Sequence, residues 1–491
     1  SADATVALVS ALMKKDDAAA ALKVIDGLAL QNPKSALPDL LRGRVAEARN
    51  DPVAARESYE AALAKEAEFE PALGRLAQLD LIEQKSAAAK ARYTVFLKRK
   101  PESVPALLAM AEITRLQGGS RTDIRQWLDK AVAVRPTDPA PWLTAIELEE
   151  RLGEATGALA RAQRASTALP DNAELLARLG QALLEVGNTN QAQAALQRAI
   201  VIEPRSFLAR LRLAEAHLAA GNPGGARTQV DRAMELAPDT FAANRANIAL
   251  LSREGKGEAA VAGAKRLRAR LPGDLGAMLL EADVQAAGGQ WAAAAAVLRD
   301  ALAAGSTTDI AKRLSHALRR AGAKAGAESF EQAWLQQHSD DAEFLAFLAQ
   351  EAAVRGDEQV AEARYRQAIE LRPDGTLAIN NLASLLLGKK PAEALTLAQR
   401  AVSLAPVSAP MLDTLAAAQA RNGQAQEAVK TQTKAVDLAP GVDSLRLQLA
   451  RLHLQSGDKD KAREELTRLV ARGADSPQKP EAERLLKQLG S

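Results

Sequence analysis

The sequence predicts an all-α solenoid of about fourteen consecutive helical hairpins, followed by one C-terminal helix. Three markers recur in phase along the 491 residues, at intervals close to 34 residues. They are a proline that closes each hairpin, a glycine at its inner turn and a small residue twelve positions before the proline. Such recurrence is typical of arrays in which each hairpin buries its apolar face against its neighbours.

Residues 179–204 (LGQALLEVGNTNQAQAALQRAIVIEP) illustrate one hairpin. Apolar residues three, four and seven positions apart predict a helix, which Gly187 interrupts because glycine readily adopts the conformation of a sharp reversal. The pattern then resumes and stops at Pro204, since proline cannot extend a helix. Small residues are predicted where the two helices approach each other: Gly180, Ala192 and Ala199.

The same markers divide the chain into repeats of 33–35 residues. We predict a continuous array over residues 1–474, irregular at 307–339, and a capping helix within 475–491. The closing prolines include Pro33, Pro101, Pro136, Pro170, Pro204, Pro238, Pro272, Pro373, Pro406 and Pro440. The turn glycines include Gly118, Gly153, Gly187, Gly221, Gly255, Gly289, Gly423 and Gly457.

Two repeats depart from the pattern. Repeat 307–339 lacks its closing prolines and is recognised only by Phe330, Ala333 and Trp334. The sequence therefore places its helices only to within one or two residues. Repeat 374–406 is one residue short near residues 387–391, which we expect to tighten its inner turn. At the start of the chain Val6 and Leu8 begin an apolar stripe without a polar cap, so we expect further repeats upstream or a covered N-terminal face.

The composition excludes several classes of function. The chain has no cysteine, only 3% aromatic residues and a net charge of +3 with both signs interspersed. Disulfides and thiolate sites are therefore excluded, and stacking platforms for nucleic acid are poorly supplied. His217 and His453 occupy the same position of their repeats, which indicates packing. No catalytic or phosphate-binding motif is found, so we expect no enzyme activity, no cofactor, no metal and no nucleic-acid partner.

The repeated residues resemble the tetratricopeptide repeat (TPR), whose pattern is W-x2-L-G-x2-Y…A-x3-F-x2-A…P. Trp142 stands at the tryptophan position, Leu179 and Gly180 at the Leu-Gly pair, and Tyr59, Tyr93 and Tyr365 at the phenylalanine position. The resemblance implies a right-handed superhelix. It also implies a non-catalytic scaffold that binds proteins or peptides in a concave groove lined by the first helix of each hairpin.

The C-terminal part of the chain is similar to TPR lipoproteins of the bacterial PEP-CTERM/exosortase system. The similarity lies in two Ala-rich blocks and in the closing Ala-Glu-Arg-Leu-Leu helix. The blocks are INNLASLLLGKKPAEALTLAQRAVSLAP and MLDTLAAAQARNGQAQEAVKTQTKAVDLAP. That resemblance implies a role in exopolysaccharide and surface-protein export, and a periplasmic location rather than the alternative, the cytoplasm. Membrane attachment would then require an anchor outside this chain. Repeat scaffolds of cellulose and alginate export remain rivals.

Counting along each first helix gives candidate groove residues in nine places. They are Glu112, Glu147, Glu150, Gln181, Glu185, Glu215, Asp283, Asn380 and Arg451. The acidic majority leads us to expect a protein or peptide partner with a basic segment. The alternative is an ordinary solvated helix face. Two other functions stay open: an RNA-binding helical-repeat protein, and the non-catalytic TPR portion of a polysaccharide-secretion or glycosyltransferase complex.

Overall fold

The computed structural model describes residues 2–471 and 476–490. Within these ranges it contains 29 α-helices and no strand. The chain divides into two compact units, Ser1–Glu254 and Gly255–Ser491. The all-α class and the helix order expected for about fourteen hairpins are therefore confirmed. None of the helices in the described part of the chain combines the length and apolar composition needed to cross a membrane.

The first unit contains seven consecutive helical hairpins and a further first helix, α15. Its helices are α1 (Ala2–Lys14), α2 (Ala18–Gln31), α3 (Leu37–Ala48), α4 (Pro52–Lys65), α5 (Glu70–Ile82), α6 (Ser86–Arg99), α7 (Val104–Leu116), α8 (Arg121–Val134), α9 (Pro139–Arg151), α10 (Ala155–Ala168), α11 (Ala173–Glu185), α12 (Thr189–Ile202), α13 (Phe207–Ala219), α14 (Pro223–Leu236) and α15 (Phe241–Arg253).

The second unit contains α16, six hairpins and a last helix. Its helices are α16 (Gly257–Arg270), α17 (Leu275–Ala287), α18 (Trp291–Ala304), α19 (Thr308–Arg320), α20 (Lys324–Gln337), α21 (Ala342–Val354), α22 (Glu358–Leu371), α23 (Thr376–Leu386), α24 (Pro391–Leu404), α25 (Ala409–Arg421), α26 (Ala425–Leu438), α27 (Asp443–Gln455), α28 (Lys459–Ala471) and α29 (Lys479–Gly490).

Small residues hold the two helices of a hairpin close together. Ala192 and Ala199 on α12 are completely buried. A Cβ atom added to Gly180 on α11 would collide with the Leu196 side chain of α12. Other second helices repeat the arrangement, with a fully buried alanine at the equivalent position: Ala21, Ala55, Ala89, Ala158, Ala226, Ala260, Ala294, Ala327, Ala361, Ala394, Ala428 and Ala462.

The turn between the helices requires a left-handed backbone conformation. Gly187 has a φ of 80°, and the other predicted turn glycines have φ between 69° and 86°. In the first three repeats the equivalent residues are Asp16, Asn50 and Gln84, with φ of 56–59°. Aspartate and asparagine tolerate this region better than other side chains do, so the glutamine is the least favourable of the three.

The irregular repeat keeps the register of the array. Its helices are α19 and α20, its turn residue Gly322 has a φ of 76°, and Ala327 fills the small-residue position. Trp334 on α20 packs against Phe344 on α21, with ring centroids 5.8 Å apart. Its indole N–H donates to Asp341 Oδ2 at 3.0 Å. Aromatic packing thus replaces the missing closing proline as the anchor of this repeat.

The short repeat 374–406 differs from our expectation of a tighter turn. Its turn holds four residues, 387–390, whereas the first helix α23 has only 11 residues where α11 has 13. Pro391 stands at the start of α24, where its fixed φ suits the first helical position. Because the start of α24 is fixed in this way, the lost residue is taken from the end of α23.

The last helix, α29, lies against the final hairpin. Ala482 and Leu485 are buried, and Leu486 and Leu489 pack on the same cluster as Leu466 of α28. Its apolar edge is therefore the one that the sequence predicts. The predicted boundary at residues 474 and 475 lies outside the described residues.

We predict that Gln84→Gly stabilises the chain by about 0.5–1 kcal/mol, because glycine adopts a positive φ without a Cβ clash. The change is measured as the shift in the urea midpoint followed by circular dichroism. Gly187→Ala is the matched control. Its new Cβ would meet no atom within 4 Å, so the loss of about 1 kcal/mol expected there comes from backbone strain alone. Equal midpoints for all three proteins would contradict this account of the turn.

Candidate partner-binding groove

A groove of about 690 Å³ opens along three successive first helices of the first unit. We call it the α11–α15 groove. Its walls come from α11, α13 and α15, and Val230 of α14 also contacts it. The residues that line it are Gln181, Leu184, Glu185, Leu208, Leu211, Arg212, Ala214, Glu215, Leu218, Val230, Ala242, Arg245, Ala246, Ala249, Leu250 and Arg253.

The groove is open because α15 carries small side chains where α13 carries large ones. Three residue pairs, each 34 positions apart, show the difference between α13 and α15. They are Leu208 and Ala242, Arg212 and Ala246, and Glu215 and Ala249. Replacing a leucine, an arginine and a glutamate by three alanines removes most of the side-chain volume from this stripe of α15. The result is a partly apolar depression at whose edge Leu208 keeps 50% of its surface exposed.

Three of the predicted groove residues line this depression. Gln181 and Glu185 lie on α11, and Glu215 lies on α13. Three others also lie on first helices but do not line the α11–α15 groove: Glu112 on α7, and Glu147 and Glu150 on α9. All six residues therefore lie on first helices, and three of them line the groove.

The predicted acidic run is largely compensated by arginines. Arg115 donates two hydrogen bonds to Glu112, at 2.9 and 3.0 Å, and these lower the pKa of Glu112. Arg151 donates to Glu112 at 3.2 Å and lies 3.9 Å from Glu147. Arg178 donates to Glu150 at 3.3 Å. The carboxylates of α7 and α9 therefore do not form an uncompensated acidic surface.

The three predicted residues of the second unit have separate surroundings. Asp283 accepts two hydrogen bonds from Arg313 of α19, at 3.0 and 3.2 Å. Asn380 is buried, with 8% of its surface exposed, and its Oδ1 atom has no hydrogen-bond partner within the described ranges. Arg451 donates to Glu481 of α29 at 3.1 Å, so it contacts the last helix. Hydrogen bonds from Arg484, which has the larger effect, and from Arg451 lower the pKa of Glu481 to about 2.

The charged groups inside the α11–α15 groove are less well paired. Among residues 2–471 and 476–490, no ion pair within 4 Å reaches Arg212, Arg245 or Arg253. The pKa of Arg212 is lowered, mainly by partial burial and to a smaller extent by the nearby positive charge of Arg178. Partial burial raises the pKa of Glu215, against the opposing effect of Arg212 and Arg245, although its side chain still reaches solvent. The groove thus holds three arginines that have no close ion-pair partner among the described residues.

Sequence analysis missed two buried carboxylates that bind arginines from both flanking second helices. Asp80 is 1% exposed and accepts hydrogen bonds of 2.7 Å from Arg56 and from Arg92. Glu149, also 1% exposed, is held in the same way by Arg125 and Arg161. A signal was present in the sequence, since the corresponding residues of the two networks are all 69 positions apart: Arg56 and Arg125, Asp80 and Glu149, Arg92 and Arg161.

The histidines lie in separate packing environments. His453 is buried, which lowers its pKa, and the His338 ring lies 4.0 Å from that of Trp334. In the part of the chain that the structure describes, no group of three or more histidine or carboxylate side chains is placed to hold a metal ion. The α11–α15 groove is the candidate site considered below.

Comparison with known families identifies tetratricopeptide repeats in three parts of the chain. One tetratricopeptide-repeat model matches residues 183–248 and 419–489, and a second matches residues 6–71. The search of curated proteins found no match to this sequence. The chain thus contains tetratricopeptide repeats, and proteins built from such repeats generally act as non-catalytic scaffolds for protein–protein interaction.

Solved structures that match this chain include three with identities of 14–25% over 35–95% of its length. Yeast Tom70 is 14% identical over 86% of this chain and 96% of its own, with a TM-score of 0.43. MamA from Desulfovibrio magneticus RS-1 is 25% identical over 35% of this chain and 99% of its own, with a TM-score of 0.32. The APC/C hetero-tetramer Cut9–Hcn1 is 14% identical over 95% and 98%, with a TM-score of 0.37. Similarities this low establish nothing about the partners of this chain.

We predict that Glu149→Ala destabilises the chain by about 2 kcal/mol, because it removes the buried acceptor of Arg125 and Arg161 and leaves Arg161, which is 4% exposed, paired with Asp129 alone. Urea unfolding measures the loss. Glu147→Ala on the same helix removes an exposed carboxylate and should cost less than about 1 kcal/mol. Similar losses in the two variants would show that the buried network contributes little.

We also predict that Glu215→Gln stabilises the chain slightly at pH 7, by less than about 1 kcal/mol because the side chain reaches solvent. A carboxyl group whose pKa is higher in the folded than in the unfolded state opposes folding above that pKa, and this cost disappears as the pH falls through it. The stability difference should therefore shrink between pH 7 and about pH 4. A difference that grew on acidification would mean that the pKa is lowered.

Proposed function

We propose that this chain is a non-catalytic scaffold that binds an extended peptide segment of a partner protein in the α11–α15 groove. The observation that carries the proposal is the combination of an apolar floor and incompletely paired charged groups on three successive first helices. Apolar side chains such as Leu211 and Leu250 can bury an anchor residue, and Arg212 or Glu215 can fix its orientation. Peptide sites generally combine these two elements.

A protein partner fits the groove better than RNA does. Sequence-specific RNA recognition relies on bases stacked on aromatic side chains or arginine planes. The residues that line the α11–α15 groove include no aromatic side chain. Arginines alone leave few stacking surfaces, whereas leucines and alanines suit the aliphatic side chains of a peptide.

The export role implied by the resemblance to the PEP-CTERM/exosortase system stays a prediction based on sequence blocks alone. The same holds for the periplasmic location and for a part in a polysaccharide-secretion or glycosyltransferase complex. The sequence upstream of Ser1 in the gene tests the predicted export role. A signal sequence with a lipidated cysteine supports export, and a plain start codon in its place removes that prediction.

Filling the groove tests the binding proposal. We predict that Ala249→Trp weakens peptide binding by at least about tenfold, because the indole occupies the space left by the alanine stripe. The wild-type chain is first used to select binders from a phage-displayed random-peptide library. The enriched peptides are then synthesised with a fluorescent label and titrated against wild type and variant by fluorescence anisotropy.

Ala133→Trp on α8 is the matched control, since Ala133 is exposed and does not line the groove. It should bind the selected peptides as wild type does. Circular dichroism melting curves should coincide for all three proteins, because Ala249 is exposed as well. Selected peptides that bind Ala249→Trp unchanged, or a library that yields no binder, would contradict the proposal.

A further inference from the structure

The α15 side of the groove carries a regular arrangement of charge and space. Arg245, Ala249 and Arg253 follow one another at intervals of four residues, so they lie along one face of the helix. Eight residues of α-helix span about 12 Å. The two guanidinium groups therefore extend from positions about 12 Å apart, with the open space over Ala249 between them.

Both arginines are exposed and available to a ligand. Neither has an ion-pair partner within 4 Å among the described residues, in contrast to Arg151 and Arg178 on α9 and α11. The lining contains three arginines and two carboxylates, Glu185 and Glu215, and both carboxylates lie on other helices. The face of α15 is thus positively charged, although the sequence led us to expect an acidic groove.

Most of the other side chains that α13 and α15 contribute to the groove are apolar. They include Leu211, Leu218, Ala246 and Leu250, while Glu215 and Arg212 of α13 are charged. A branched aliphatic side chain would bury its surface there, at about 25 cal/mol per Å² of apolar area removed from water. The groove therefore combines apolar side chains with two exposed cations on α15.

An extended peptide can match this pattern. It rises about 3.3 Å per residue, so residues four positions apart are separated by about 13 Å, close to the spacing of the arginines. Residues one, three and five of such a segment also point to the same side. Because carboxylates form charge-assisted, bidentate hydrogen bonds with arginine, acidic residues at both ends would complement Arg245 and Arg253.

We propose that the α11–α15 groove recognises an extended acidic segment of a partner protein, in which an aliphatic residue lies midway between two acidic residues four positions apart. This inference rests on the proposed function and gives its partner a chemical class. It reverses the charge that the acidic residues of the sequence suggested. Glu185 and Glu215 then attract basic segments less strongly than the arginines of α15 attract acidic ones.

A synthetic peptide panel tests the proposal. The probe is a fluorescein-labelled nonapeptide with glutamate at its third and seventh positions, leucine at its fifth and glycine or serine elsewhere. One comparison peptide has lysines in place of the glutamates, and another has the two glutamates adjacent. In low salt, where charges are weakly screened, the probe should bind wild type at least about tenfold more tightly than either comparison peptide.

Charge reversal on the protein supplies the matched measurement. Arg245→Glu should weaken the probe by at least about tenfold and strengthen the lysine peptide. Arg205→Glu is the control, since Arg205 is exposed and outside the lining, and it should change neither affinity. Tighter binding of the lysine peptide to wild type, no binding of the probe, or an unchanged affinity in Arg245→Glu would each overturn the proposal.

The two proposals fail in different ways. If Ala249→Trp blocks library-selected peptides that are basic or uncharged, the groove is a peptide site and only the acidic specificity is wrong. If Ala249→Trp leaves all selected peptides bound, the groove is not the peptide site and both proposals fall.

Discussion

The close approach of the two helices in each hairpin is the constraint on which the rest of the structure depends. The space between α11 and α12 admits no side chain at Gly180 and only a methyl group at Ala192. Because the same position recurs in nearly every repeat, the chain must supply a small residue about once every 34 positions. This requirement accounts for one buried alanine in nearly every second helix.

Most of the fold could be predicted from the sequence because its signals are local. A proline ends a helix, a glycine reverses the chain and apolar spacing defines the buried stripe, all within one repeat. Where several local solutions exist, prediction is less reliable. The residue missing from repeat 374–406 could have been lost from the turn or from the helix, and the position of Pro391 decided in favour of the helix.

The candidate site could be predicted only in part. Counting along the first helices placed Gln181, Glu185 and Glu215 on one groove, because that count needs only the helical period. It could not predict the charge balance. The partner of Glu150 is Arg178 on the next first helix, 28 positions along the chain, and such pairs depend on how successive hairpins stack. The buried carboxylates Asp80 and Glu149 were missed although their networks recur 69 positions apart, because the stacking of hairpins decides which of the recurring charges meet.

The residues of the core and those of the proposed binding site occupy different stripes of the same helices. The stripe that contacts the second helix does not tolerate larger residues, since a side chain at Gly180 would collide with Leu196. The stripe that faces the groove is exposed and can change without disturbing the core, and α15 has lost side-chain volume there at Ala249. Substitutions on this outer stripe alter the shape and charge of the groove while the hairpin keeps its packing. A partner specificity can therefore change along the array independently of the fold that supports it.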